Sequence, residues 1–171
     1  MSVRTIVLMG DPVLREEAAP VQSFDAELEA LVEDMFETMY HADGVGLAAP
    51  QIGIGKRILI VDVRDEESPE AGRYALINPE VVESSSSIDK ATEGCLSIPG
   101  LEDVVARPAA VEVRGFDPSG SPITIAAEGL LARALQHEID HLDGVLFLDR
   151  VSALKRRMLL KKWKKLREEE D

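Results

Sequence analysis

Two histidines stand four residues apart with a glutamate between them, in His137-Glu138-Ile139-Asp140-His141. On an α-helix, residues at i and i+4 lie one turn above each other, so both imidazoles can meet one metal ion. Glu138 sits about 100° around the helix from His137, close to that ion yet free to carry a proton. The chemistry this spacing serves is metal-assisted hydrolysis. Leu130, Ala134, His137 and His141 fall on one stripe of the same helix, so the metal would lie at the end of an apolar strip that can floor a substrate pocket.

Two imidazoles need at least one further ligand. In metalloproteases whose pattern continues to a third histidine, the spacing holds here as far as Gly144 and fails at Phe147, which excludes that class. Glu168 lies beyond a basic final segment and is a poor ligand for a rigid site. Cys95 is the best remaining candidate, because a thiolate binds borderline metals strongly and Glu93-Gly94-Cys95-Leu96-Ser97 reads as a loop of small residues that can approach closely. Alone, a single cysteine fits a small buried hydrophobe better; its pairing with the histidine helix reverses that preference. Cys95, His137 and His141 would leave a tetrahedral ion one open position for water. The added negative charge of a thiolate weakens a Lewis acid, which admits Fe(II) beside Zn(II). Upstream, Gly44-Val45-Gly46-Leu47-Ala48-Ala49-Pro50-Gln51 reads as a glycine-punctuated loop, and the Gln51 amide can donate to a developing oxyanion without competing for the metal.

These residues need a scaffold. A chain of 171 residues, 45% hydrophobic and 30% charged, suits one domain spanning residues 1 to 171. Apolar residues Leu28, Leu31, Val32, Met35 and Met39 predict an amphipathic helix over residues 25 to 40, and the period returns over 128 to 142, where Gly144 can take the left-handed closing position. Residues 58 to 63, 74 to 77 and 111 to 116 are short β-branched runs, the last forming a hairpin with 123 to 125 across Asp117-Pro118-Ser119-Gly120. Residues 65 to 72 and 84 to 87 read as loops. Ser152 caps a final basic helix at 153 to 167. The expectation is an α+β fold with mostly antiparallel sheets around the metal-binding helix, the strand order left open. His41 has no visible partner and reads as structural.

Charge and composition exclude several classes. The net charge of −13 argues against broad nucleic-acid affinity, and no DNA partner is expected. Residues 155 to 171 nevertheless carry eight Lys or Arg against four Asp or Glu, leaving −17 for residues 1 to 154. The apolar run at residues 5 to 9 is too short for a membrane span or signal peptide, and a lone cysteine fits a reducing compartment, so a cytoplasmic protein is expected.

Taken together, the segments Gly44 to Gln51, Glu93 to Ser97 and Gln136 to His141 resemble, in order, the three signature motifs of bacterial peptide deformylases. The likeness extends from Gly10-Asp11-Pro12-Val13-Leu14-Arg15 to Gly144-Val145-Leu146-Phe147. It implies metal ligation by Cys95, His137 and His141, general acid–base work by Glu138, and an oxyanion held by Gln51 and the Leu96 N–H. It implies a substrate, the N-formyl group of nascent peptides beginning with formylmethionine, whose methionine side chain would lie among Val45, Leu130, Arg133, Ala134 and His137. Gly46 and Glu93 would be substrate-binding positions, near the peptide backbone and the shell supporting the metal. Fe(II) is the favoured cofactor, with Zn(II), Ni(II) or Co(II) as substitutes. A monomer is expected, docking on the ribosome near the exit tunnel through the basic C-terminal helix. Glu102 stands nearest to where some members carry an arginine that meets the peptide beyond its first residue. Arg133 stands where some have an aliphatic side chain, so its methylene stem is expected to serve the pocket rim. The rival readings are a metallopeptidase with a longer open cleft, and a non-enzymatic, metal-stabilised ribosome-binding protein.

Overall fold

The computed structural model describes residues 2 to 63 and 72 to 170, so the loop expected at 65 to 72 lies, apart from Gly72, outside the described residues. The seven described strands are β1 (Gly46–Ala48), β2 (Ile58–Asp62), β3 (Arg73–Ser84), β4 (Ile88–Gly94), β5 (Glu102–Pro108), β6 (Ala110–Phe116) and β7 (Pro122–Glu128). The helices are α1 (Ala26–His41), α2 (Gly129–Leu142) and α3 (Ala153–Glu170). Five strands form one sheet in the order β1-β2-β3-β6-β7, and β4 and β5 form a separate ribbon. Every strand pair is antiparallel, so the expected α+β class with antiparallel sheets is the one observed.

The five-stranded sheet is covered on both faces, and β2 shows why. Each of its residues is buried, because successive side chains point to opposite faces. Leu59 and Val61 meet Leu135, Ile139 and Leu142 of α2, whereas Ile58 and Ile60 meet Leu31, Met35 and Met39 of α1. α2 is thus pressed between the sheet and the β4–β5 ribbon, with ten of its fourteen residues buried. A third cluster, containing Ile98, Leu101, Val105, Phe147 and Leu159, with Cys95, Trp163 and Leu166 at its margin, seats α3 against the ribbon and the segment after it.

Helix ends follow local chemistry. Asp25 caps α1 by accepting the Leu28 N–H at 3.0 Å. α2 ends in a Schellman motif: Val145 N–H donates to Asp140 O at 2.9 Å and Gly144 N–H to His141 O at 3.3 Å, with Gly144 at φ +75°. Ser152 Oγ accepts the Lys155 N–H at 3.2 Å and opens α3. That helix continues past 167 through Glu168, Glu169 and Glu170. β4 and β5 were not expected from the sequence, and β3 is longer than the run at 74 to 77. The segment Gly44 to Gln51 is not all loop, since β1 pairs with β2 and the 3₁₀ turn Ala49–Ile52 follows. Among the described residues, no helix is long and apolar enough to cross a membrane.

Candidate metal centre

Two elements converge on one point. α2 brings His137 and His141, whose Nε2 atoms lie 3.2 Å apart, and the segment leaving β4 brings Cys95 Sγ to 3.3 Å from His141 Nε2. All three donor atoms lie within 4.8 Å of one another. The tautomer of His137 follows from its other nitrogen: Nδ1 donates to Glu93 Oε1 at 2.9 Å, which leaves the Nε2 lone pair facing the cluster. Lone pairs and a sulfur crowded so closely repel unless a cation or protons lie among them. The set of one thiolate and two imidazoles suits a borderline divalent ion, so the residues present fit a metal.

Protonation equilibria in the metal-free protein bear on that fit. Burial, and then the neighbouring His137, hold the pKa of His141 well below the usual imidazole range. A neutral ring is the ligating form. Burial also pulls His137 down, but the Glu138 charge and hydrogen bonds to Cys95 and Glu93 outweigh it and leave His137 raised; protons and a metal compete for its Nε2. Glu93 is pulled up by burial but held at about 2 by hydrogen bonds from Arg107 and His137, so it remains anionic.

Glu138 differs from every other carboxylate near the site. It is 4% exposed, and its Oε1 is buried without a hydrogen-bond partner. Burial lifts its pKa to about 7 against the opposing pull of His137 and Arg107. An unpaired carboxylate is costly to bury, and a carboxyl group whose pKa lies near neutrality can both take and give a proton there. β1 makes room for it: a Cβ on Gly46 would lie 2.6 Å from Glu138 Oε2. Gly46→Ala is therefore expected to displace the carboxylate by about 1 Å and to lower turnover about 100-fold, with little change in thermal stability. Steady-state kinetics beside a melting curve checks this.

Gln51 lies in the 3₁₀ turn after β1 and is 1% exposed. Its Oε1 accepts the Ala48 N–H at 2.9 Å, which fixes the amide so that Nε2 points toward Ser97 Oγ, at 3.2 Å, and Cys95 Sγ, at 3.6 Å. A donor is thus held beside the cluster. A cavity of about 420 Å³ opens over it, lined by Val45, Gly46, Gln51, Glu93, Cys95, Leu96, Leu130, Arg133, Ala134, His137 and Glu138 among others. Each residue named from the sequence therefore lines this cavity, except His141, which is completely buried beneath it. Val45 and Leu130 are exposed at the mouth.

Arg133 lines the cavity and is 6% exposed, its guanidinium engaged within the protein. Its Nη1 donates to Glu93 Oε2 at 2.5 Å and to Val105 O at 2.9 Å, and its Nη2 to Asp89 O at 2.9 Å. Glu93, in turn, spends its carboxylate on His137, Arg107 and Arg133 and offers no free oxygen to a substrate backbone. The sequence reading missed Ser97, Arg107 and Arg150 and gave Asp140 no role. Arg107 had a signal: period-2 alternation from the buried Val105 puts it on the inward face of β5, where an arginine needs carboxylates.

Two imidazoles on one helix and a cysteine sulfur from the segment after β4, with a buried carboxylate and a fixed amide donor beside them, fit the donor set of a mononuclear metal hydrolase. The chain belongs to the polypeptide deformylase family, whose pattern matches residues 3 to 157. It is 49% identical over 166 residues to the peptide deformylase of Brucella suis biovar 1, covering 97% of this chain and 94% of the relative. Among solved structures, it resembles peptide deformylase from Ehrlichia chaffeensis at 41% identity and a TM-score of 0.90, with 98% of each chain covered. A complex of the Ehrlichia chaffeensis enzyme with actinonin aligns at 43% identity and a TM-score of 0.88, over 96% of this chain and 98% of that one. The chain is thus of an enzyme family, the peptide deformylases.

Proposed function

We propose that this enzyme removes the N-formyl group from peptides that begin with formylmethionine, releasing formate and a free amino terminus. The observation that carries the reading is the buried, unpartnered Glu138 carboxylate beside Cys95, His137 and His141 at the floor of the cavity. A divalent ion held by those three side chains, Fe(II) by preference and Zn(II), Ni(II) or Co(II) as substitutes, supplies a Lewis acid and a water of lowered pKa. Glu138 takes the proton of the attacking water and returns it to the leaving amine. Gln51 Nε2 and the Leu96 N–H donate to the oxygen that gains charge, each worth about 3 kcal/mol at the transition state. Among the described residues, the Leu96 N–H makes no hydrogen bond within the chain, so it is free for that use. The methionine side chain lies against Val45, Leu130 and Ala134. Arg133 shapes this wall from behind through its hold on Glu93.

Formate release from a formyl-methionyl tripeptide, measured beside cleavage of its unformylated twin, tests the reaction. Formate from the first and no cleavage of the second is expected. Internal cleavage of the unformylated peptide would instead favour a peptidase.

We further infer that α3 docks the enzyme, as a cytoplasmic monomer, on the ribosome. Leu159, Trp163 and Leu166 hold the helix to the body, while Leu154 and Met158 stand exposed one turn apart among basic side chains. Lys155 pairs with Asp103 and Arg156 with Asp149, which leaves Lys161, Lys162, Lys164 and Lys165 exposed to meet phosphates. Reversing Lys161, Lys162 and Lys165 to Glu spares the packing face and should weaken ribosome co-sedimentation at low salt at least about tenfold. Unchanged co-sedimentation would remove the docking role.

A further inference from the structure

Arg107 neither lines the cavity nor supplies one of the three converging donor atoms, yet it is 4% exposed and hydrogen-bonded through all three guanidinium nitrogens. Its Nε donates to Glu93 Oε2 at 2.5 Å, its Nη2 to Glu93 Oε1 at 2.8 Å and its Nη1 to Asp140 Oδ2 at 3.0 Å. Glu93 Oε1 also accepts from His137 Nδ1. Asp140 lies on α2 three residues after His137 and next to His141. The bonds therefore close a ring that runs from His137 to Glu93 on β4, to Arg107 on β5, to Asp140, and back along α2 to His137. Arg150 grips Asp140 from outside, with Nε at 3.1 Å and Nη2 at 2.8 Å.

Stability alone does not explain such a ring. Buried ion pairs lose most of their attraction to desolvation, and apolar side chains of the same volume pack as well or better. What the ring does provide is fixed geometry. Glu93, held at both oxygens by Arg107 and at Oε2 by Arg133, cannot rotate away from His137 Nδ1. The helical segment that carries both histidines is tied at Asp140 to the strand that clamps Glu93. A lysine could not substitute, because a single ammonium lacks the planar fork that grips one carboxylate at two points while reaching a second.

We propose that Arg107 and Asp140 are positioning residues for the metal centre: the ring sets the orientation and tautomer of His137 and its spacing from His141, and so the tightness with which a divalent ion is held. The inference rests on Cys95, His137 and His141 being the ligands. Co(II) is the probe. Wild-type protein loaded with Co(II) should show thiolate-to-cobalt charge transfer and tetrahedral ligand-field bands; their absence would overturn the ligand assignment and this inference with it. With those bands present, Arg107→Met should release Co(II) to a chelator about 10- to 100-fold faster, with shifted ligand-field bands. Asp140→Asn, nearly the same in volume, should fall between that variant and wild type. Arg107→Lys should recover the melting temperature of the metal-free protein further than it recovers the release rate. A purely structural ring would lower melting temperatures and leave the release rate and spectrum of every folded variant as in wild type, and that result overturns the proposal. Should Arg107→Met not fold, Asp140→Asn and Arg107→Lys decide it by the same two readouts.

Discussion

Glu138→Ala is expected to retain a full equivalent of metal and to lose deformylation by about 10³- to 10⁴-fold, the upper range for removal of a positioned acid–base group. Cys95, His137 and His141 are untouched in this variant, so metal content by elemental analysis should match wild type. The loss should appear in kcat far more than in KM, because the carboxylate acts on the proton and not on the peptide. Glu138→Gln keeps the shape of the side chain over Gly46 and should be equally inactive, which separates loss of proton transfer from loss of packing. The pH dependence has a definite sign. The carboxylate accepts a proton only when ionised, and burial holds its pKa at about 7 in the metal-free protein. A bound cation nearby favours the ionised form, so activity should fall as pH drops through a value below about 7. Turnover near wild type in either variant would end the proton-transfer role.

Much of this site could be read from the residues because its central part is local. Two histidines four apart on one helix need only that the helix form, and the apolar period from Leu130 to Leu142 is enough for that. Gly144 marked the end of α2 because a left-handed residue is required there and glycine adopts it without strain. The hairpin of β6 and β7 was legible for the same reason, since its turn chemistry lies inside the segment it connects. β4 was not. Its sequence, Ile88-Asp89-Lys90-Ala91-Thr92-Glu93-Gly94, buries only Glu93, so no hydrophobic alternation marks it as a strand.

The environment of Glu93 depends on that ribbon. β4 pairs with β5, Glu93 lying opposite Asp103 and Arg107 opposite Asp89, and only in that non-local ribbon do the Arg107 and Glu93 side chains meet. The hydrogen-bond partners of Arg133 were hidden for the same reason. On α2 alone it looks like a long side chain near the start of an amphipathic helix. Its burial follows from a wall of ribbon backbone, Asp89 O and Val105 O, that accepts its guanidinium. Local patterns thus pointed to the proposed ligands and proton carrier, whereas the hydrogen-bond network around them belongs to tertiary structure.

Cys95→Ala is expected to lose the metal altogether in purified protein, a larger effect than the about 10- to 100-fold cost of losing an outer partner. Of the three donors, the thiolate alone brings a full negative charge, and it comes from a segment separate from α2. His137 and His141 share one helix and would remain as a two-point site of the kind that exchanges readily with chelators. The side chain itself contributes little to the fold. Cys95 is partly exposed at the margin of the α3 cluster, so the metal-free variant should melt within about 1 kcal/mol of metal-free wild type. The contrast should appear on adding metal. Wild type gains stability by preferential binding, about 4 kcal/mol at a thousandfold excess over the dissociation constant, and the variant gains almost none. The same thiolate explains an expected loss of activity in air for the Fe(II) form, since oxidation of Sγ removes the ligand as surely as its mutation does. Anaerobic metal analysis and melting curves with and without Fe(II) distinguish the cases. A Cys95→Ala protein that holds one equivalent of metal through gel filtration would exclude the thiolate as a ligand and return the search to the carboxylates around His137.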